Sequence, residues 1–174
     1  EAGPEYRSLL ERRAFALLAA EAAGKNRAKQ AAQLWMRGAD LTDFAVACLG
    51  LAADRRGDSA ELVRAAQSLE RRATHAAGVM FWHAPDGWDN WSDVAATAMA
   101  MRTLGRAGRS TASLEGVARW LMLKRDGGYW RCTRDSALTV MALVEHLERI
   151  QPAACRAVVE VNGRRVAAAK FSAG

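Results

Sequence analysis

An Asp-x-Ala motif opens three apolar stretches, at Asp43-Phe44-Ala45, Asp93-Val94-Ala95 and Asp135-Ser136-Ala137, spaced 50 and 42 residues apart. The last two copies also agree at Thr97/Thr139, Met99/Met141 and Ala100/Ala142, and Phe15–Ala19 resembles a degraded copy. A recurrence of that length is one helical hairpin plus its loops, and such units bury their apolar faces by stacking on one another. Helix-period apolar spacing runs to about residue 150 and predicts helices near 5–23, 27–37, 41–54, 58–72, 92–106, 112–124 and 134–150. The alternate helices that carry the motif are alanine-rich and nearly uncharged, which suits an inner layer with close contacts. The helix at 58–72, with Glu61, Arg64, Glu70 and Arg71, is amphipathic and suits an outer layer. Two concentric helical layers make a mainly α chain, a partial α/α toroid of antiparallel hairpins. The repeated carboxylates Asp43, Asp93 and Asp135 read as N-caps, since a short acidic side chain can accept the orphan amides of a first turn.

Two connections stand out. From His75 to Trp91 the chain carries Phe81, Trp82, Trp88 and Trp91 together with Pro85. It reads as one long aromatic loop, either a contact surface or a plug for the mouth of the ring. From Trp120 to Leu147, Asp126-Gly127-Gly128 reads as a helix stop, Trp130 as a ring wedged at the joint, and Thr133 or Asp135 as the cap of the next helix. After Pro152 the period changes to two, and Asn162-Gly163 lies between two strand-like runs. That dipeptide is the strongest short hairpin signal. The expected division is therefore a helical part over 1–152 and a β-hairpin over 153–174 that begins a different domain.

The chain's 174 residues suffice for one domain with a sizeable core. Its formal charge is +6, and all but four of its 25 basic residues are arginine. The arginines are spread over every helix rather than gathered in a stripe, and no nucleic-acid motif is present, so nucleic acid is not an expected partner. No apolar run approaches membrane length. The first residues hold no initiator Met and no apolar signal run, which suggests a piece of a longer protein. Three cysteines, Cys48, Cys132 and Cys155, form no disulfide framework. Cys48 falls on an apolar helix as a small core residue, and a Cys132–Cys155 pair stays open.

The stretch Trp120-Leu-Met-Leu-Lys-Arg-Asp-Gly-Gly-Tyr-Trp-Arg-Cys-Thr-Arg-Asp-Ser-Ala137, followed by Ala142-Leu143 and by Val161-Asn162-Gly163, resembles bacterial alpha-2-macroglobulin-type proteins. In those a similar Trp-Leu…Gly…Trp…Thr…Asp-Thr-Ala stretch ends the thioester domain, and a Val-Asn-Gly strand pair opens the next β-domain. Cys132 stands where the family usually has Ser, and Ser136 where it has Thr. The specific likeness covers about 97–171. The resemblance implies an α/α toroid, as in complement fragments, within a large protease trap. It implies proteases and neighbouring β-domains of the same chain as partners, and a periplasmic, envelope-anchored or secreted setting. Many members acylate the trapped protease through a Cys-x-x-Gln thioester. Here Cys48, Cys132 and Cys155 are followed three residues on by Leu51, Asp135 and Val158, so the chain lacks that motif. It is expected to be non-catalytic and without cofactor.

His83 is the one weak candidate for chemistry, since in thioester relatives a histidine of this region can assist acyl transfer. The competing reading is a loop histidine packed on tryptophans. Asp86, Asp89 and Asp93 with His83 do not have EF-hand or zinc spacing, so no metal is expected. Two alternatives remain: an isoprenoid cyclase or prenyltransferase on the same toroid, or a free-standing helical interaction module. The first lacks an aspartate-rich motif and a His or Cys ligand set.

Overall fold

The computed structural model describes residues 3–85, 92–150, 155–161 and 164–171, the last two as paired backbone. Seven helices occupy the described part: α1 (Pro4–Ala22), α2 (Ala28–Trp35), α3 (Asp43–Arg56), α4 (Ser59–Arg72), α5 (Asp93–Arg106), α6 (Thr111–Leu123) and α7 (Thr133–Leu147). The protein is mainly α, with a C-terminal antiparallel hairpin, β3 (Cys155–Val161) against β4 (Arg164–Phe171). Cys155 pairs with Phe171 and Val161 with Arg164, and the register shifts between Val159 and Glu160. Asn162 and Gly163 lie outside the described residues.

The alternation read from the repeat is the packing order. Helix α3 lies against α1, α4 and α5, and α5 lies in turn against α7. Every residue from Phe44 to Ala53 and from Val94 to Gly105 is buried. A helix apolar on all sides belongs inside, and these two are the inner layer. Helix α4 buries only one face, through Leu62, Ala65, Ala66 and Leu69, and α6 buries Leu114, Val117, Trp120 and Leu121. That 3–4 spacing is the stripe of an outer helix. Helices α1 and α7 flank the inner pair and bury one side each. On α7 the opposite side exposes Val140, Met141, Val144 and Leu147.

Small residues set how closely the layers approach. A Cβ placed on Gly50 of α3 would lie 2.6 Å from Thr103 Cγ2 of α5 and 2.8 Å from Ala65 Cβ of α4. Thr103 donates its hydroxyl to Ala47 O across the helix boundary at 3.0 Å, which ties α5 to α3 by a polar contact at their closest approach. Two buried ion-pair groups add to this. Arg56 at the end of α3 reaches Glu21 of α1 at 3.1 Å and Glu61 of α4 at 2.7 Å, and Arg102 of α5 reaches Glu145 of α7 at 2.7 Å. Burial alone would raise the Glu145 carboxyl, but the hydrogen bonds and charges of Arg102 and Arg106 outweigh it and hold the group below its ordinary range.

The helix starts correct one expectation. Thr42 and Ser92 are the N-caps of α3 and α5, accepting from Ala45 N at 3.3 Å and Ala95 N at 3.1 Å. Asp43 and Asp93 sit one residue past their caps, and Asp135 sits three residues past the N-cap of α7, which is Cys132 with no side-chain cap bond. The hydroxyl residues take the caps because they adopt the extended backbone that precedes a first turn, which leaves the carboxylates free to reach across to other elements. The helix stop is also displaced. Helix α6 ends at Leu123 with Lys124 as its C-cap, and Gly127-Gly128 instead form a tight turn closed by reciprocal bonds between Asp126 and Tyr129.

Candidate functional site

Of the described residues singled out in the sequence, Asp43, His83, Asp93 and Asp135 lie where α3, α5 and α7 begin. The stretch expected as one aromatic loop contains a short hairpin, β1 (Thr74–Ala76) paired with β2 (Val79–Phe81). Its turn is Ala77-Gly78 with φ of 46° and 76°. Two left-handed residues in succession give the turn twist that matches a two-residue hairpin. The signal was concealed because alanine, rather than asparagine or aspartate, precedes the glycine.

Trp82 follows this hairpin and is wholly buried. Its indole N–H donates to Leu69 O near the end of α4 at 2.9 Å, and its backbone N–H donates to Thr97 Oγ1 of α5 at 3.1 Å. Trp130 repeats the device after the Gly127-Gly128 turn. Its indole N–H donates to Leu121 O of α6 at 2.6 Å and its backbone N–H to Ser136 Oγ of α7 at 3.0 Å. Each tryptophan thus donates to a carbonyl in the last turn of an outer helix, Leu121 O also accepting from Lys124 N at 3.2 Å, and ties that end to the first five residues of the following motif-bearing helix. Trp82 is consequently no part of an exposed contact surface. Phe81 is half-buried and stacks on Trp120, with centroids 4.9 Å apart and planes 7° from parallel. Trp88 and Trp91 lie outside the described residues.

His83 stands beside this aromatic pair, its ring edge-on to Phe81 at 4.9 Å. Its Nδ1 lies 3.4 Å from the Asp93 carboxylate, and both side chains are substantially open to solvent, at 63% and 42%. Asp93 also accepts from Ala84 N at 2.7 Å, so its main work is to hold the loop onto the start of α5. His83 and Asp43 border one open depression of about 340 Å³ with Arg7, Thr42 and Arg72. Arg72 is already committed there, donating to Leu41 O at 2.7 Å and to Gly38 O at 3.2 Å as well as pairing with Asp43 at 3.4 Å. Burial pushes the Asp43 carboxyl above its ordinary range, against the opposing pull of Arg72 and His83. Asp135, with no exposed surface, accepts from Ser92 Oγ at 2.7 Å and from Arg131 Nε at 3.2 Å. The three repeated carboxylates therefore each bind the loop or helix next to their own, and are joints between units.

Chemically, a histidine–carboxylate pair could relay a proton, but a nucleophile must lie within reach for acyl transfer. Cys48 is wholly enclosed in α3, and burial raises its thiol well above the ordinary value. A thiol held neutral is a poor nucleophile. Cys132 is a free, half-buried thiol at the N-cap of α7. Among the described residues no group of three His, Cys, Asp or Glu side chains is arranged to hold a metal ion. On the side formed by α1, α3, α5 and α7 a recess of about 230 Å³ is lined by Phe15, Leu18, Leu51, Met99, Leu138 and Met141. That is below the roughly 300–1,000 Å³ of ordinary small-molecule pockets.

Sequence reasoning did not find a larger concavity among the described residues. It is a groove of about 910 Å³ between α1 and α2, far from His83 in the chain, floored by Leu10, Leu17 and Leu34. The available signal was the amphipathic pattern of the short α2, as marked as that of α4. Among the described residues no helix is long and apolar enough to cross a membrane. Compared with known proteins, the chain matches no family profile, and no curated protein matches it.

Proposed function

We propose that this chain is a non-catalytic packing and interaction module of a bacterial alpha-2-macroglobulin-like protease trap. The observation that carries the reading is the joint from Trp120 to Ala137. There the Trp-Leu…Gly-Gly-Tyr-Trp…Thr-Arg-Asp-Ser-Ala stretch that resembles the family ends α6, turns, buries Trp130 and opens α7. The stretch serves to lock one helical unit to the next, which is the work of a structural module. The β3–β4 hairpin follows the helical array as the resemblance implies for the start of a β-domain. With no Cys-x-x-Gln in the chain, any covalent capture would be supplied from elsewhere in the protein that carries it. Its partners on this reading are proteases, met by the whole protein, and the β-domains beside it. Its setting is the periplasm, the envelope or the exterior.

The test is to express the complete reading frame that contains this chain and mix it with a broad-specificity endopeptidase. A trap encloses the protease, so hydrolysis of casein should fall while hydrolysis of a small chromogenic peptide persists. Unchanged casein hydrolysis at a molar excess of the protein would reject the reading. Turnover of an isoprenyl diphosphate by the same preparation would establish the enzyme alternative instead.

A further inference from the structure

The α1–α2 groove is the feature that the preceding reading leaves unused. It arises because α2 is only eight residues long and meets α1 over a short stretch, so that the two helices enclose a trough. The floor is apolar: Leu10 and Leu34 are buried beneath it, Leu17 is half-buried, and Met36 stands 84% exposed at one end. Met36 is the most exposed large apolar side chain among the described residues, it lies beside an apolar floor, and methionine adapts to varied partners. The rim is cationic: Arg13 stands on α1, Arg27 precedes α2 and Arg37 follows it. Gln30 and Gln33 add uncharged hydrogen-bonding groups one turn apart, and no Asp or Glu lines the groove.

Charge and shape together select the occupant. From Tyr6 to Ala20 the lining follows α1 for roughly 21 Å at about 1.5 Å per residue, close to four helical turns. A trough of that length with an apolar floor accepts an amphipathic helix through anchors at i, i+3 or i+4, and i+7. A rim with three guanidinium groups and no carboxylate calls for acidic side chains along the polar edge of that helix, because Arg binds carboxylates through paired donors. We propose that the α1–α2 groove is a docking site for an acidic amphipathic helix of a protein partner. This is independent of the protease-trap reading and of the His83 end of the molecule.

The test uses two fluorescein-labelled synthetic helices with one leucine face, carrying glutamates or lysines on the other, titrated by anisotropy against the whole chain. The glutamate peptide should bind about tenfold or more tightly than the lysine peptide, and its affinity should drop between about 0.05 M and about 0.5 M salt. The Met36→Glu change lies at an open position, so the far-ultraviolet circular dichroism should stay the same while glutamate-peptide affinity falls about tenfold. The R13E/R37E pair should reverse the preference between the two peptides. Equal binding of both peptides, or binding insensitive to both variants, would overturn the proposal. So would dodecanoate binding in the groove with no peptide binding, which would make it a site for small amphiphiles. Concentration-dependent dimerisation abolished by M36E, again without peptide binding, would overturn it in favour of self-association.

Discussion

Replacing Gly50 with alanine asks whether the inner layer is as tightly packed as its composition implies. On propensity alone the change should help, because alanine in a helix interior is about 1 kcal/mol better than glycine. The structure reverses the sign. The new Cβ would lie 2.6 Å from Thr103 Cγ2 and 2.8 Å from Ala65 Cβ, whereas carbon atoms rest at about 3.5–4.0 Å. Neither neighbour can swing away. The Ala65 Cβ is fixed to its backbone, and the Thr103 side chain is held by hydroxyl bonds to Ala47 O at 3.0 Å and Met99 O at 3.1 Å. Helices α4 and α5 must each retreat from α3 by about 1 Å. Two clashes against fixed atoms put the cost in the upper part of the about 1–3 kcal/mol range of overpacking, at about 2–3 kcal/mol, which leaves G50A less stable by about 1–2 kcal/mol after the propensity gain. For a chain of this size that lowers Tm by about 2–8 °C. Differential scanning fluorimetry and urea unfolding would read it. Gly116 of α6 is the internal control, since a Cβ there meets nothing nearer than 3.5 Å. G116A should therefore raise Tm slightly. Adding T103S to G50A removes the crowding methyl while keeping the hydroxyl, and should recover part of the loss. A G50A protein as stable as G116A would refute the close approach of α3, α4 and α5.

Other consequences are measurable on the same preparations. Cys132 caps α7 without a side-chain bond, so C132S should add a hydroxyl acceptor and stabilise by about 0.5–1 kcal/mol in urea unfolding. W82F and W130F each remove an indole N–H donor and leave a void where the smaller ring does not fill the site, so both should destabilise by at least about 1–3 kcal/mol, W82F the more, because Leu121 O keeps its bond from Lys124 N at 3.2 Å. His146 is 6% exposed, and burial, assisted by Arg149 against the opposing charge of Glu115, lowers its pKa below the ordinary 6.5. The unfolded chain then binds the proton more readily, so this contribution is complete above about pH 6.5 and is lost on acidification, at up to about 1.4 kcal/mol per pH unit. H146Q should flatten the stability profile below about pH 6.5, and an unchanged slope would count against a buried neutral imidazole.

What could be read in advance divides along physical lines. Helix identity and the alternation of layers were legible because burial on all sides leaves a compositional trace: the stretches Phe44–Ala53 and Val94–Gly105 carry one charged residue between them, Arg102. Helix starts were misassigned by one to three residues because Thr42, Ser92 and Cys132 stand directly before or near the aspartates, and a cap is defined by backbone geometry that a sequence does not display. The hairpin around Ala77-Gly78 was hidden by an alanine in a left-handed conformation, and the role of Trp82 by its neighbours in an aromatic-rich stretch. The ion pairs Arg56–Glu21 and Arg102–Glu145 join residues 35 and 43 positions apart, a relation that depends on how hairpins stack. The α1–α2 groove escaped for a similar reason: a concavity is set by where a short helix stops touching its neighbour.

The central claim is that alternate alanine-rich helices form one enclosed layer, and native-state hydrogen exchange followed by mass spectrometry tests it most directly. Amides of α3 and α5 should exchange only through global unfolding, with α4, α6 and α7 opening at lower free energy. Exchange of α3 or α5 as fast as that of α4 would contradict the account.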